Sequence, residues 1–348
     1  MKGVTVRNMA VRRFGKWLLI GLITLAGVLA IAVTLTIGWR PFIGPKKRTL
    51  TSRTFERTPQ RLERGRYIAT ALSGCVYCHS QHNWAAPGTP IVPGSEGSGS
   101  IQPETDLPGR IVASNLTPDL ETGAGRWTDD QLARAIREGI GHDGRALFPM
   151  MPYIHFREMS DEDLASVIVY LRSLPAVRNE LPKTEIIFPV KYLIRSAPEP
   201  VTTPVSEGVD SSDLVQRGSR LVNLAGCGDC HTPTEKGQSM PGMEFAGGAI
   251  LAGPWGSVAS ANLTPDATGI PYYDEALFLK VIRTGYVKAR ALSAIMPVMV
   301  YKNLSDGDLK AMFAYLRTVK PVQHRVDNTE AAVECKLCRQ KHGAGAAN

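Results

Sequence analysis

The sequence predicts an all-α protein: one N-terminal transmembrane helix followed by two tandem copies of a three-helix domain joined by long loops. Three observations predict it. The chain opens on an uncharged apolar run, the remainder repeats itself in order and spacing, and helix-cap signals recur at matched positions while strand-period alternation is scarce.

The apolar run from Trp17 to Trp39 holds 23 residues without a charge. At about 1.5 Å per helical residue it crosses a hydrocarbon layer of about 30 Å, with Trp17 and Trp39 at the two interfaces. Lys2, Arg7, Arg12, Arg13 and Lys16 in segment 1–16 favour a cytoplasmic N-terminus, a signal weakened by Arg40, Lys46, Lys47 and Arg48 beyond the span. Ala30-Ile31-Ala32 resembles a signal cleavage site, yet the run continues to Trp39, longer than a usual signal core, so 17–39 reads as a retained anchor. Residues 1–66 carry 14 Lys or Arg against the acids Glu56 and Glu63, a net +12 within a total of +8, which leaves 67–348 at −4. The basicity belongs to the anchor region, and a nucleic-acid partner loses its main support.

After a basic spacer at 40–60, the chain is written twice. "GCVYCHS" at 74–80 returns as "GCGDCHT" at 226–232, "ASNLTPD" at 113–119 as "SANLTPD" at 260–266, and "IREG" at 136–139 as "IRTG" at 282–285. Arg145-Ala146-Leu147 with Met151-Pro152 matches Arg290-Ala291-Leu292 with Met296-Pro297, and "MSDEDLASVIVYLRSL" at 159–174 matches "LSDGDLKAMFAYLRTV" at 304–319. These are two copies of one domain, at 61–180 and 211–322. Each copy holds a helix leading into its cysteine motif ("RLERGRYIATAL" and "DLVQRGSRLVNL"), a middle helix ("TDDQLARAIREG", with Thr128 and Gln131 spaced as a capping box, and "DEALFLKVIRTG"), and a third helix capped by Ser160 or Ser305. The Pro-rich segment 181–210 has no helical period and reads as a linker wrapped over the surface.

Cys-x-x-Cys-His is the pattern of c-type haem attachment: two sulfurs reach the vinyl groups on one porphyrin edge, and the next residue brings an imidazole to the iron. Cys75, Cys78 and His79 form one such set, and Cys227, Cys230 and His231 the other, which implies two covalently bound haem c groups. A redox dithiol or half a zinc site would fit either motif alone. Two matched copies, without further ligands beside each pair or a βαβ pattern, disfavour both. An electron-carrying haem needs a second axial ligand, normally Met or His. Only Met151 and Met296 occupy equivalent positions, each followed by Pro; Met150 matches Ile295 and His155 matches Val300. Met151 and Met296 are therefore the expected sixth ligands, against a default of core packing. His82 reads as a surface residue, and His142 and His155 as loop histidines, either able to replace Met151. A six-coordinate iron has no open site, which favours electron transfer over catalysis. Asn115, Asn262, Arg145 and Arg290 are expected to frame the haem edges, or to stabilise turns; Trp127, Tyr273 and Trp255 are expected in the core. Haem attachment by thioethers takes place outside the bacterial cytoplasm, so the domains belong on the periplasmic side of the inner membrane.

In the tail at 323–348, Cys335 and Cys338 repeat the spacing, but Arg339 stands where histidine is needed. A disulfide is the simplest expectation; a metal site with His342, and His324 as a distant fourth ligand, is the other.

The paired CxxCH, NLTPD, RALxxxMP and SD-x-DL segments, over about 61–320, resemble the class I c-type cytochromes, in particular the membrane-anchored cytochrome subunits of periplasmic alcohol, sugar-acid and aldehyde dehydrogenases. Those subunits commonly hold three haems, whereas this chain has two such motifs. The resemblance implies a three-helix haem fold in each half and a non-enzymatic role: a membrane-tethered dihaem carrier between a dehydrogenase and the respiratory chain, with dehydrogenase or oxidase subunits and the lipid bilayer as partners. A dihaem peroxidase and the cytochrome subunit of a haem-copper oxidase are the alternatives.

Overall fold

The computed structural model describes residues 2–86, 88–206, 212–235, 237–330 and 333–342. Helix α1 (Lys2–Leu35) carries the apolar run, and its stretch Arg12–Leu35 is long and apolar enough to cross a membrane, with none of it buried against the rest of the chain. The helix ends before Trp39. Gly38 takes the left-handed conformation (φ 68°) and donates its amide to the Val33 carbonyl, closing the last turn as glycine does at helix ends. A short helix α2 (Arg40–Ile43) follows.

The basic spacer is not a loose tether. The Arg48 guanidinium forks onto both carboxylate oxygens of Asp130 at 2.7 Å and reaches Glu138 at 2.7 Å, and Arg53 adds a second cation to Asp130 at 2.7 Å. Amides of the spacer complete the joint: Thr51 donates to Asp130 (2.6 Å) and Phe55 to Asp129 (3.0 Å). Part of the positive charge read as membrane-proximal, that of Arg48 and Arg53, is internal ion pairing.

In the first half, α3 (Pro59–Tyr67) runs through a wider π turn at Ile68–Leu72 into α4 (Cys75–Cys78), then α5 (Asp129–Glu138), α6 (Tyr153–Phe156) and α7 (Asp161–Leu171). The linker contributes α8 (Val190–Leu193). The second half repeats the order with α9 (Leu214–Leu224), α10 (Cys227–His231), α11 (Glu275–Thr284), α12 (Val298–Tyr301) and α13 (Asp306–Leu316). The expected caps form: Thr128 and Gln131 close a reciprocal capping box, while Ser160 and Ser305 accept the amides of Asp163 and Asp308. Among the described residues, strands form only short two-stranded ribbons, the longest pairing Ile250–Gly253 with Gly256–Ala259.

The two principal helix crossings are built alike. A Cβ at Gly65 would lie 1.8 Å from the Ser166 carbonyl oxygen, and one at Gly218 would lie 1.9 Å from that of Ala311. Only glycine lets α3 approach α7, and α9 approach α13, this closely. Ile68, Leu132, Phe156, Leu164 and Ile168 fill the first half, and Leu221, Phe278, Leu304, Leu309 and Leu316 the second, in one continuous apolar core. Segment 181–210 lies along the first half and the spacer, and it carries α8 where the sequence shows no helical period: Glu185–Ile186 pairs with Gly109–Arg110, and Arg195 donates to the Pro41 carbonyl at 3.0 Å.

The halves dock reciprocally. His155 on α6 hydrogen-bonds Asn223 Oδ1 at 2.6 Å and Asp229 Oδ1 at 2.7 Å, on the approach to and within the second cysteine motif. Its counterpart 145 residues on, Val300 on α12, packs against Gly74 at the first motif. Tyr67 donates its hydroxyl to Asp308 and accepts the Ser305 amide, and Trp84 meets Trp255 with ring centroids 5.3 Å apart. Trp255, expected in a core, is thus a partly exposed member of the seam.

Candidate haem cradles

Each CxxCH segment is a single helical turn started by a left-handed glycine, Gly74 (φ 61°) or Gly226 (φ 67°). Cys75, Cys78, Cys227 and Cys230 all carry free thiols. Burial raises all four thiols, Cys75, Cys227 and Cys230 to about 12 and Cys78 to about 11. They are neutral S–H groups at neutral pH.

Both imidazoles are held the same way. His79 Nδ1 lies 2.6 Å from the Ser114 carbonyl oxygen, and His231 Nδ1 lies 2.7 Å from that of Ala261. A carbonyl can only accept, so Nδ1 carries the proton and Nε2 keeps its lone pair for a metal. Burial lowers the pKa of both rings, which favours the neutral, ligating form.

The NLTPD repeat is what positions those carbonyls. Asn115 Oδ1 accepts the Thr117 amide and hydroxyl (2.9 and 2.7 Å) while its Nδ2 donates to the Val177 carbonyl (2.8 Å). Asn262 does the same with Thr264 (2.9 and 2.8 Å) and Val322 (2.9 Å). The two asparagines are buried internal pins that fix Ser114 and Ala261 behind the histidines. The repeat is plain in the sequence but its role is not, because the carbonyl that does the orienting has no side-chain signature.

Met151 and Met296 sit in matching turns, each packed against the core and each followed by Pro at the N-cap of a short helix, Pro152 (φ −82°) or Pro297 (φ −78°). Met159, which also lies in the first half, is 1 % exposed and packs within the core. His142 stacks on Trp127 at 4.4 Å, and both ring nitrogens of His155 are engaged across the seam. His82 is not a free surface group: its ring nitrogens lie 2.8 and 3.1 Å from the Tyr77 and Thr89 carbonyls. Arg145 pairs with its neighbour Asp143 (3.2 Å), and Arg290 lies exposed in a short ribbon.

The two motifs share one neighbourhood. Tyr301 is pushed well above its ordinary pKa by burial and then by the nearness of Cys227, Cys230 and Cys78. Cys230 in turn senses Cys78. Both motifs border the seam between the halves: Val300 faces Gly74, just before Cys75, and His155 holds Asp229, between Cys227 and Cys230.

In the tail, the expected disulfide is absent: Cys335 and Cys338 are free thiols. His324 is not distant from them, since it lies with Cys335, Cys338 and His342 in one cluster whose ligand atoms are all within 4.8 Å of one another.

Free thiols paired on one turn and an imidazole with its Nε2 unprotonated are a donor set that fits a covalently attached haem c. Comparison with known proteins agrees. Residues 215–320 match the model of the cytochrome c family. The sequence is 31% identical over 277 residues to the cytochrome c subunit of the quinone alcohol dehydrogenase of Gluconobacter oxydans, covering 75% of this chain and 55% of that one. It is 30% identical over 267 residues to the fructose dehydrogenase cytochrome subunit of Gluconobacter japonicus, covering 74% and 52%. It is 27% identical over 258 residues to a diheme c-type cytochrome of Cereibacter sphaeroides, covering 72% and 83%. The chain thus spans about half the length of the first two relatives. By the family match, residues 215–320 form a domain of the cytochrome c family, and over about three quarters of its length the chain is similar to cytochrome c subunits and to a diheme c-type cytochrome.

Proposed function

We propose that the chain is a membrane-tethered dihaem electron carrier made of two tandem cytochrome c domains, at 61–180 and 211–322. One haem c would be held by Cys75, Cys78, His79 and Met151, and the other by Cys227, Cys230, His231 and Met296. Each bound haem supplies a one-electron iron couple, whose potential Met ligation raises relative to His. The protein's own residues attach, orient and shield. Asn115 and Asn262 fix the carbonyls that set the His79 and His231 tautomers, and the core supplies a low-dielectric surround.

The observation that carries this reading is that both CxxCH turns hold their imidazole alike, His79 Nδ1 on the Ser114 carbonyl and His231 Nδ1 on that of Ala261, on either side of a reciprocally docked seam. Docking of the halves at both cysteine motifs, through His155 on Asp229 and Val300 against Gly74, supports transfer within the chain. Helix α1 supports tethering, with the domains on the periplasmic side of a bacterial inner membrane. The relatives named as dehydrogenase subunits support a periplasmic dehydrogenase as the electron donor.

The full-length chain, extracted in detergent, tests this. Pyridine haemochrome analysis is expected to give two haem c per chain with low-spin spectra. Met151→Ala and Met296→Ala should each open one iron to carbon monoxide. One haem per chain, a high-spin haem in the unmutated protein, or steady-state turnover of hydrogen peroxide would overturn the proposal.

A further inference from the structure

The hairpin that ends the described chain brings together four metal-binding side chains that the haem cradles do not use. Val333–Glu334 pairs with Lys341–His342, and the turn between them holds Cys335 and Cys338. Cys335 donates its amide to the Gln340 carbonyl and accepts the Arg339 amide, both at 2.9 Å, with Arg339 left-handed (φ 58°). This turn aims both sulfurs to one side. There they meet His342, across the hairpin, and His324, which precedes it in sequence.

Two nitrogen–sulfur edges of the cluster have the length a tetrahedral zinc centre needs. His324 Nε2 lies 3.3 Å from Cys335 Sγ, and His342 Nε2 lies 3.4 Å from Cys338 Sγ. Zinc bonds of about 2.3 Å to sulfur and about 2.0 Å to nitrogen put tetrahedral N···S edges near 3.5 Å. His324 and Cys338 are each 1 % exposed and His342 8 %. Two thiolates would neutralise a divalent cation, so the loaded site is uncharged and its burial costs little. The backbone is fitted around it: a Cβ at Gly248 (φ +90°) would lie 2.6 Å from His324 Cε1 and 3.4 Å from Cys338 Sγ.

The internal repeat supplies an independent argument. His324 Nδ1 donates to the Ala246 carbonyl at 2.9 Å, which leaves Nε2 unprotonated and facing the sulfurs. In the first half the equivalent residue is Asn179, whose Nδ2 donates to the equivalent carbonyl, that of Ser98, at 3.0 Å. The backbone match is close: the Asn179 amide donates to Thr122 and the His324 amide to Thr268, both at 2.9 Å. Asparagine thus suffices to hold this loop. The second half uses a histidine, whose extra ring nitrogen points at two cysteines.

We propose that His324, Cys335, Cys338 and His342 bind one structural Zn²⁺, which fastens the C-terminal hairpin to the loop behind His231. Soft thiolate and imidazole donors in a closed set of four select zinc in a structural role. Binding releases the two thiol protons and changes no oxidation state. Through Ala246, the clamp reaches the neighbouring Gly247 amide, which donates to the His231 carbonyl at 2.8 Å.

Elemental analysis of the full-length protein, purified without chelator, tests the site with zinc and iron counted together. The expected result is one zinc per chain besides the haem iron. His324→Asn installs the residue that serves the first half, so it should keep both haem spectra while lowering zinc occupancy at least about tenfold. Iodoacetamide should label Cys335 and Cys338 in the unmutated protein only after treatment with 1,10-phenanthroline, a readout that does not depend on any variant folding. Four results would each overturn the proposal: no zinc after reduction and incubation with zinc sulfate, extra iron in its place, a Cys335–Cys338 disulfide in the intact mass, or labelling indifferent to the chelator.

Discussion

His155 joins the halves with one imidazole, and its charge makes the joint depend on pH. The hydrogen bond to Asp229 outweighs the opposing effect of burial and raises its pKa above the usual imidazole range. A group whose pKa is raised by folding contributes fully below its unfolded value, about 6.5 for histidine, and loses that contribution as pH rises through the raised value. The unmutated protein should therefore exceed His155→Gln in thermal stability by most on the acid side, with the gap narrowing toward alkaline pH; a gap constant across pH would count against it. The residue scale also shows what sequence can and cannot deliver. His79, His231, Met151 and Met296 stand out as candidates because each motif is spelled twice. Ser114 and Ala261 do not, since a carbonyl orients a histidine equally well from either residue. His324 stood out only as a distant candidate, because nothing local says that the chain returns Cys335 to it.

Among the elements, the helix crossings carry the strongest constraint. The caps of α5, α7 and α13 follow from Thr128, Ser160 and Ser305, all local signals, whereas Thr58, Asp213 and Asp274, which cap α3, α9 and α11, are not singled out. The closeness of the crossings does not follow either, because Gly65 and Gly218 look like ordinary helix-weakening glycines until a carbonyl is placed against them. Gly218→Ala adds a methyl where Ala311 O leaves no room, so it is expected to destabilise the second half by about 1–3 kcal/mol despite alanine's better helix propensity. Thermal unfolding of the haem-loaded protein measures this, and a stabilised variant would contradict the crossing. Gly21, with nothing within 4 Å of an added Cβ, is the matched control.

At the scale of the whole molecule, the repeat announced two similar halves but not how they meet. The docking runs through residues that differ between copies, His155 against Val300 and Tyr67 against Arg220, so comparison of the copies hides it. The joint between spacer and first half was equally hidden, because Arg48 and Asp130 are 82 residues apart. Burial pushes the Asp130 carboxyl up, but the Arg48 fork, the Thr51 amide and Arg53 prevail and hold it well below the usual carboxylate range. A pKa lowered by folding gives stability that is present above the unfolded value, about 3.9, and lost as pH falls through the folded one. Asp130→Asn leaves Arg48 and Arg53 without their shared partner and is expected to cost about 3–5 kcal/mol. Trypsin should then cut at Arg48 and Arg53, sites it spares in the unmutated chain at neutral pH; equal cleavage of both would refute the joint.

That joint limits how far the molecule can travel. Lys46 holds Glu199, Arg195 holds Pro41, and Arg48 and Arg53 hold Asp130, so the segment leaving α1 is riveted to the first half within a dozen or so residues. With α1 in a bilayer, this joint would keep the cradles from swinging out on a long leash. On the tethered reading proposed above, they would stand on a short strut, and a donor would meet them close to the membrane surface.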